Sequence, residues 1–150
     1  MKVVIQRVSE AKVSIDNLEV AKIAQGLLIL VGIEDQDKQT DIDWLVGKII
    51  NLRIFNDLHH VMNLSIKDID GEIIVVSQFT LHASTKKGNR PSYIKAARPE
   101  IAIPIYENFK AALNLKKKKT IQSGQFGADM KVSLTNDGPV TILIDSKNKE

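Results

Sequence analysis

Gly26-Leu27-Leu28-Ile29-Leu30-Val31-Gly32-Ile33 is the stretch on which the fold turns. It is apolar almost throughout and opens on a glycine. Such a run reads as a strand buried on both faces, so other elements must cover it from two sides. Its longest unbroken apolar part, Leu27 to Val31, is far too short to span a bilayer.

Upstream, Lys2 to Val8 alternates in part and is rich in Val and Ile. Lys12 to Ile15 and Leu18 to Ile23 flank Asp16-Asn17, a favourable hairpin turn pair. Downstream, Thr40-Asp41 offers helix capping ahead of Trp44, Leu45, Ile49 and Leu52, which recur at helical spacing. Arg53 to Phe55 reads as a short strand before an Asn56–His60 turn. Ile73 to Leu81 is the strongest later strand, and its polar residues gather at the C-terminal end. His82 to Ser92 is a basic loop with Gly88 and Pro91. A helix is expected from Pro99 to Leu113, with Ile103, Tyr106, Phe109 or Lys110, and Leu113 in register. Pro104 belongs in its first turns or marks a break. Thr120 to Ser123, Met130 to Thr135 and Val140 to Ile144 read as strands, the last two separated by Asp137-Gly138-Pro139. The tail Ser146 to Glu150 is polar and is expected to fray. Many strands with two main helices predict an α+β fold with a largely antiparallel sheet.

The 150 residues show no second composition regime, so a single domain is expected over 1–145, with 146–150 as the tail. Hydrophobic residues at 43% and charged residues at 26% are typical of a globular protein. Cysteine is absent, which excludes disulfides, thiolate metal sites and a cysteine nucleophile, and fits a reducing compartment. No basic segment precedes an apolar one at the start, so a secretory signal is not expected. The net charge of +3 is uneven: residues 1–60 carry −2 and residues 61–150 carry +5. Lys86, Lys87, Arg90, Lys95 and Arg98 occur in 82–98 without a single Asp or Glu, and Lys116 to Lys119 form a second cluster. Solvated surface is the plain reading, but a basic second half also suits a polyanion such as nucleic acid.

Familiar catalytic apparatus is missing. His59, His60 and His82 are the only histidines, and no carboxylate spacing supports a metal site at His59-His60. A triad of Ser77 or Ser84 with His82 lacks a nucleophile-elbow sequence. The glycines match neither a P-loop nor a dinucleotide fingerprint. An enzyme with this sequence works through hydroxyls, amides and backbone dipoles. Two segments suit that chemistry. Ser77-Gln78-Phe79-Thr80-Leu81 otherwise reads as an ordinary strand end, and Asn136-Asp137-Gly138-Pro139-Val140-Thr141 as a hairpin turn. A Gly-Pro bond is accessible to the cis form.

These segments carry a resemblance. Val4-Ile5-Gln6-Arg7-Val8, Asn51-Leu52-Arg53-Ile54-Phe55 and Met62-Asn63-Leu64-Ser65 come first, followed by Ser77-Gln78-Phe79-Thr80-Leu81. Lys87-Gly88, Arg90-Pro91-Ser92, Phe126-Gly127-Ala128-Asp129-Met130, Val132-Ser133-Leu134 and Asn136-Asp137-Gly138-Pro139-Val140-Thr141 complete it. In this order and spacing the chain resembles the D-aminoacyl-tRNA deacylases of the D-Tyr-tRNA deacylase family from Met1 to Asp145. No signature position departs from the pattern.

The resemblance implies a barrel-like sheet and a cytoplasmic homodimer that cleaves the ester of D-aminoacyl-tRNA, and of glycyl-tRNA, without metal or organic cofactor. It places Ser77, Gln78, Phe79 and Thr80 in the catalytic segment. It implies substrate contacts from a cis Gly138-Pro139 pair of the other subunit, held by Arg7, with Met130 and Asn136 nearby. Lys86, Lys87 and Arg90 are expected to meet tRNA phosphates. An activated ester asks for little beyond a positioned water and a stabilised oxyanion. Backbone N–H groups near Phe79 and Thr80, a Thr80 nucleophile and the substrate's ribose 2′-hydroxyl all remain open as the driving group. Two rival classes also stand: an RNA-binding module without activity, and a hydrolase of small D-aminoacyl or peptide esters.

Overall fold

The computed structural model describes residues 1–150. Strand β1 (Lys2–Ile15) and β2 (Leu18–Ile23) form a hairpin whose turn residues Asp16 and Asn17 take φ of 49° and 63°. A two-residue turn of type I′ needs positive φ at both central positions, and Asp and Asn tolerate it. Strand β3 (Gly26–Gly32) returns antiparallel to β1, and β6 (Glu72–Ser77) pairs parallel on its other edge. Between them lie α1 (Gln39–Asn51) and a small hairpin of β4 (Phe55–Asn56) and β5 (Met62–Leu64). Helix α2 (Pro99–Lys117) leads to β7 (Gln122–Ser123), which pairs parallel with β6, and β8 (Lys131–Asp145) runs antiparallel along β1.

The α+β class with two main helices is borne out, and the sheet is barrel-like. Its order is β2-β1-β3-β6-β7, with β8 on β1. The Gln122 side-chain amide closes the path. Its Oε1 accepts from Lys22 N at 2.7 Å and its Nε2 donates to Lys22 O. Within this sheet the antiparallel pairings all belong to β1, while both pairings of β6 with its neighbours are parallel. Parallel neighbours need long crossovers, which the α1 and α2 segments supply. β3 is covered on both faces as expected except at Leu30, which is half-buried: Leu27, Ile29 and Val31 meet the helices, and Leu28 faces the curl of β1 and β2.

Several boundaries differ from the sequence reading. The N-cap of α1 is Lys38, not Thr40-Asp41; Asp41 lies inside the first turn and accepts from Lys38 N at 2.9 Å. β4 is displaced to Phe55–Asn56. α2 runs on to Lys117 through Pro104, and it buries Ala102, Tyr106, Phe109 and Leu113 while Ile103 faces out. β6 stops at Ser77 rather than Leu81. Its neighbour β3 ends at Gly32, and after Gln78 N donates to Val31 O there is no ladder left to follow. The chain winds instead into a short 3-10 turn, Phe79–His82. Asp137-Gly138-Pro139 is not a hairpin turn, because β8 is continuous along β1. Its register jumps from Gln6↔Thr141 to Val8↔Asn136, so 137–140 bulge out opposite Arg7 alone.

The tail does not fray at its start. Ser146 is buried and accepts from the Met1 ammonium at 3.0 Å, and Lys147 Nζ reaches Asp41 at 2.8 Å. Burial by itself raises the Asp41 pKa, but hydrogen bonds from Lys147, Ser146 and the Lys38 backbone outweigh it and hold the carboxyl at about 2. A carboxyl depressed in the folded state stabilises it above the unfolded pKa, and loses that effect as pH falls through the folded value. From 3.8 to about 2 the contribution is about 2 kcal/mol at neutral pH. Lys147→Met therefore lowers stability at pH 7 by about 1–2 kcal/mol, and the deficit shrinks as pH falls from 4 to 2. Urea melts followed by circular dichroism across that range check it; a pH-independent deficit rejects the assignment.

Candidate active site

A pocket of about 310 Å³ opens at the C-terminal ends of β3 and β6. Ser77, Gln78 and Phe79 form one wall, and Phe126 to Met130, in the segment between β7 and β8, form another. Val31, Ile33, Ala97 and Ala102 supply apolar lining. The wall at Ser77 exists because β6 runs out of partner there. The turn that follows packs onto Gly32, where a Cβ would stand 2.9 Å from Leu81 Cβ and 3.0 Å from Gln78 O. Phe79 is 55% exposed and meets Tyr93 edge-to-face at 5.0 Å.

Thr80 lies in the same turn, where Gln78 Nε2 donates to its Oγ1 at 2.5 Å. No carboxylate, ammonium or imidazole is hydrogen-bonded to Thr80. His82 Nε2 is buried without a partner, so neither Ser77 nor Ser84 is engaged with it as a triad requires. Asp129 is the one titratable group lining the pocket, and its exposed carboxylate pairs with Lys131 at 3.2 Å. Phe79 and Thr80 occupy the first positions of a 3-10 turn, whose leading amides have no partner within the turn.

A second cluster surrounds the bulge of β8. Arg7 is buried; its Nε donates to Asp137 O at 2.8 Å and its Nη1 to Ile54 O at 2.6 Å. Asn136 Oδ1 accepts from Val140 N at 2.7 Å and its Nδ2 donates to Thr141 Oγ1 at 2.9 Å, bracing both ends of the bulge. The Gly138-Pro139 peptide is cis. Ser77, Gln78, Phe79 and Met130 thus share the pocket, with Thr80 tied to it. Arg7, Asn136, Gly138 and Pro139 assemble elsewhere, and none of them lines that pocket within one chain. Lys86, Lys87 and Arg90 are exposed in the loop before α2 and make no ion pair. Phe126 and Asp129 also line the pocket and are not among the expected site residues; the sequence marks them only as part of a family motif that carries the resemblance.

A model of the D-Tyr-tRNA(Tyr) deacylase family matches residues 4–145. The chain belongs to this family. Proteins named D-aminoacyl-tRNA deacylase from Flavobacterium psychrophilum and Porphyromonas gingivalis are 73% and 65% identical to it, each over the full length of both chains. Among solved structures, one titled c-Myc DNA Unwinding Element Binding Protein superposes with a TM-score of 0.92 at 39% identity. It covers 97% of this chain and 98% of its own. A probable eukaryotic D-amino acid tRNA deacylase shares the fold with a TM-score of 0.81 at 16% identity, over 95% and 97% of the two chains. As a member of this deacylase family the protein is an enzyme, a hydrolase. No helix is long and apolar enough to cross a membrane.

Proposed function

We propose that the protein hydrolyses the ester between a D-amino acid and the 3′ end of tRNA in the cytoplasm, spares the L ester, and also removes mischarged glycine. The observation that carries this reading is the pocket itself. Parts of two family motifs, Ser77–Leu81 and Phe126–Met130, meet there, and no carboxylate, ammonium or imidazole is hydrogen-bonded to the Ser77 or Thr80 hydroxyl. An aminoacyl ester is activated enough to be cleaved by positioned water and an oxyanion site. The amides of Phe79 and Thr80 serve the oxyanion, and Ser77 and Gln78 shape its surroundings. The Gly138-Pro139 carbonyls of a second subunit hold the substrate ammonium and leave no space for an L side chain, which is also why glycine passes. No cofactor enters this scheme.

A homodimer is part of the proposal, since one chain keeps its two clusters apart. In register across β8, β1 and β3, Leu143, Val4 and Leu30 form an apolar row, and Leu143 is 66% exposed. A row of that kind on one sheet face suits burial against a second copy. Sedimentation is expected to give a dimer, and a fully active monomer rejects the shared site.

Release of D-tyrosine, L-tyrosine and glycine from charged tRNA, with EDTA present, tests the reading. The D ester should be cleaved at least about 100-fold faster than the L ester. Equal rates reject chiral selection, and a loss restored by zinc rejects the cofactor-free scheme. Replacing Lys86, Lys87 and Arg90 by alanine should lower the salt slope of binding by roughly 2–3, as expected for three phosphate contacts. An unchanged slope returns them to solvated surface.

Thr80→Val separates the mechanisms. Removing a covalent nucleophile costs on the order of 10⁶ in kcat. A hydroxyl that only supports backbone donors should cost less than the roughly 10²–10³ of one oxyanion donor. The smaller loss is expected, because the one side-chain partner of Thr80 Oγ1 is an amide that donates to it. An acyl adduct on Thr80 in quenched reactions rejects this assignment.

A further inference from the structure

Gly124 follows β7, and its amide donates to Val75 O at 3.1 Å, tying it to the strand that delivers Ser77. Its backbone lies outside the left-handed region, so no φ requires a glycine there. What requires it is space. A Cβ built on Gly124 would collide with Met130 Sδ, while the next nearest atoms, Val13 Cγ1 at 3.6 Å and Met130 Cε at 3.7 Å, are at ordinary contact distance. The thioether therefore occupies the place a side chain at 124 would take.

Met130 lines the pocket beside Ser77, Gln78 and Phe79, and Gly124 does not. Met130 is therefore the one side chain that both fills the place of a Cβ at 124 and lines the pocket, so displacing it from that place alters the pocket wall. Methionine is unbranched and flexible, and it yields before the backbone of two hydrogen-bonded strands does. We infer that Gly124 is a positioning residue that seats the Met130 side chain and thereby sets the pocket wall offered to the aminoacyl end of the substrate. This rests on the deacylase reading of the pocket.

The test is a cycle of Gly124→Ala and Met130→Ala. With D-tyrosyl-tRNA, Gly124→Ala should raise KM on the order of tenfold and leave kcat within about threefold, the pattern of lost uniform binding. In the Met130→Ala background the same substitution should change KM less than about twofold, since the colliding atom is gone. An equal effect in both backgrounds, or a fall in kcat at unchanged KM, overturns the inference. Should Gly124→Ala fail to fold, the double variant must fold, and its failure overturns the inference too. An independent readout comes from methyl-labelled methionine, because the chain holds only Met1, Met62 and Met130. Gly124→Ala should shift the Met130 methyl resonance and leave the other two in place; an unmoved Met130 resonance overturns the seat. Failure of the native protein to cleave D-tyrosyl-tRNA would instead overturn the proposed activity, with the methyl resonance still reporting on the seat.

Discussion

Gly138→Ala is expected to lower kcat/KM for D-tyrosyl-tRNA by about 100-fold or more while the fold survives. Gly138 has φ of +133°, where an L side chain is strained. Its Cβ would also stand 2.7 Å from Arg7 Nη2 and 3.0 Å from Val140 Cγ2. Arg7 cannot simply retreat, because its other nitrogens are held by the Asp137 and Ile54 carbonyls in a buried position. The bulge must shift instead, and it carries the atoms assigned to substrate recognition. A displacement of about 1 Å in a positioning group is enough for a loss of this size. Steady-state rates on D-tyrosyl-tRNA, with circular dichroism as the folding control, measure it. Activity within tenfold of the native enzyme would show that the bulge does not take part.

Asp37→Ala should have the largest effect on stability, about 3–5 kcal/mol, seen as a fall in Tm of roughly 10 °C. The Asp37 side chain and the Met1 ammonium are both 0% exposed and lie 2.5 Å apart. The second Asp37 oxygen accepts from Glu34 N at 2.9 Å, and Lys147 Nζ approaches at 3.6 Å. Removing the carboxylate leaves a buried ammonium facing only Ser146 and the more distant, partly exposed Glu34. Stranding a buried charge costs more than the intact pair contributes. Asp37→Asn, which keeps the shape and one acceptor, should fall between the two. A Tm change under about 3 °C for the alanine variant would place the network outside the stabilising core.

The helical and strand patterns were legible where one periodicity dominated. Leu27 to Ile33 could be read as a doubly covered strand because nothing polar interrupts it, and Asp16-Asn17 as a turn because both residues accept positive φ. Boundaries were lost where a neighbour, not the segment, sets the end. Ile73 to Leu81 has strand character to its last residue, yet β6 stops when β3 stops. Ser146 and Lys147 look like a solvated tail, and become ordered only because Met1, Asp37 and Asp41 are brought to them from the other end of the chain.

The candidate site divides in the same way. Order and spacing of short motifs were sufficient to indicate the family, and the missing nucleophile-elbow sequence was sufficient to argue against a triad although serine, histidine and aspartate are all present. Their grouping was not decided there. Asn136 to Thr141 has the composition of a hairpin turn, but β1 binds both arms of β8, so the same residues become a bulge clamped by Arg7. Phe126 to Met130 faces Ser77 only because α2 returns the chain to the β6 edge, and the glycine that makes room for Met130 looks like any other in the sequence. Local propensity and residue chemistry act within a few residues and are readable there. Register, strand ends and the depth of a pocket depend on pairing and packing between segments far apart in the chain, and these arise only when the sheet has closed.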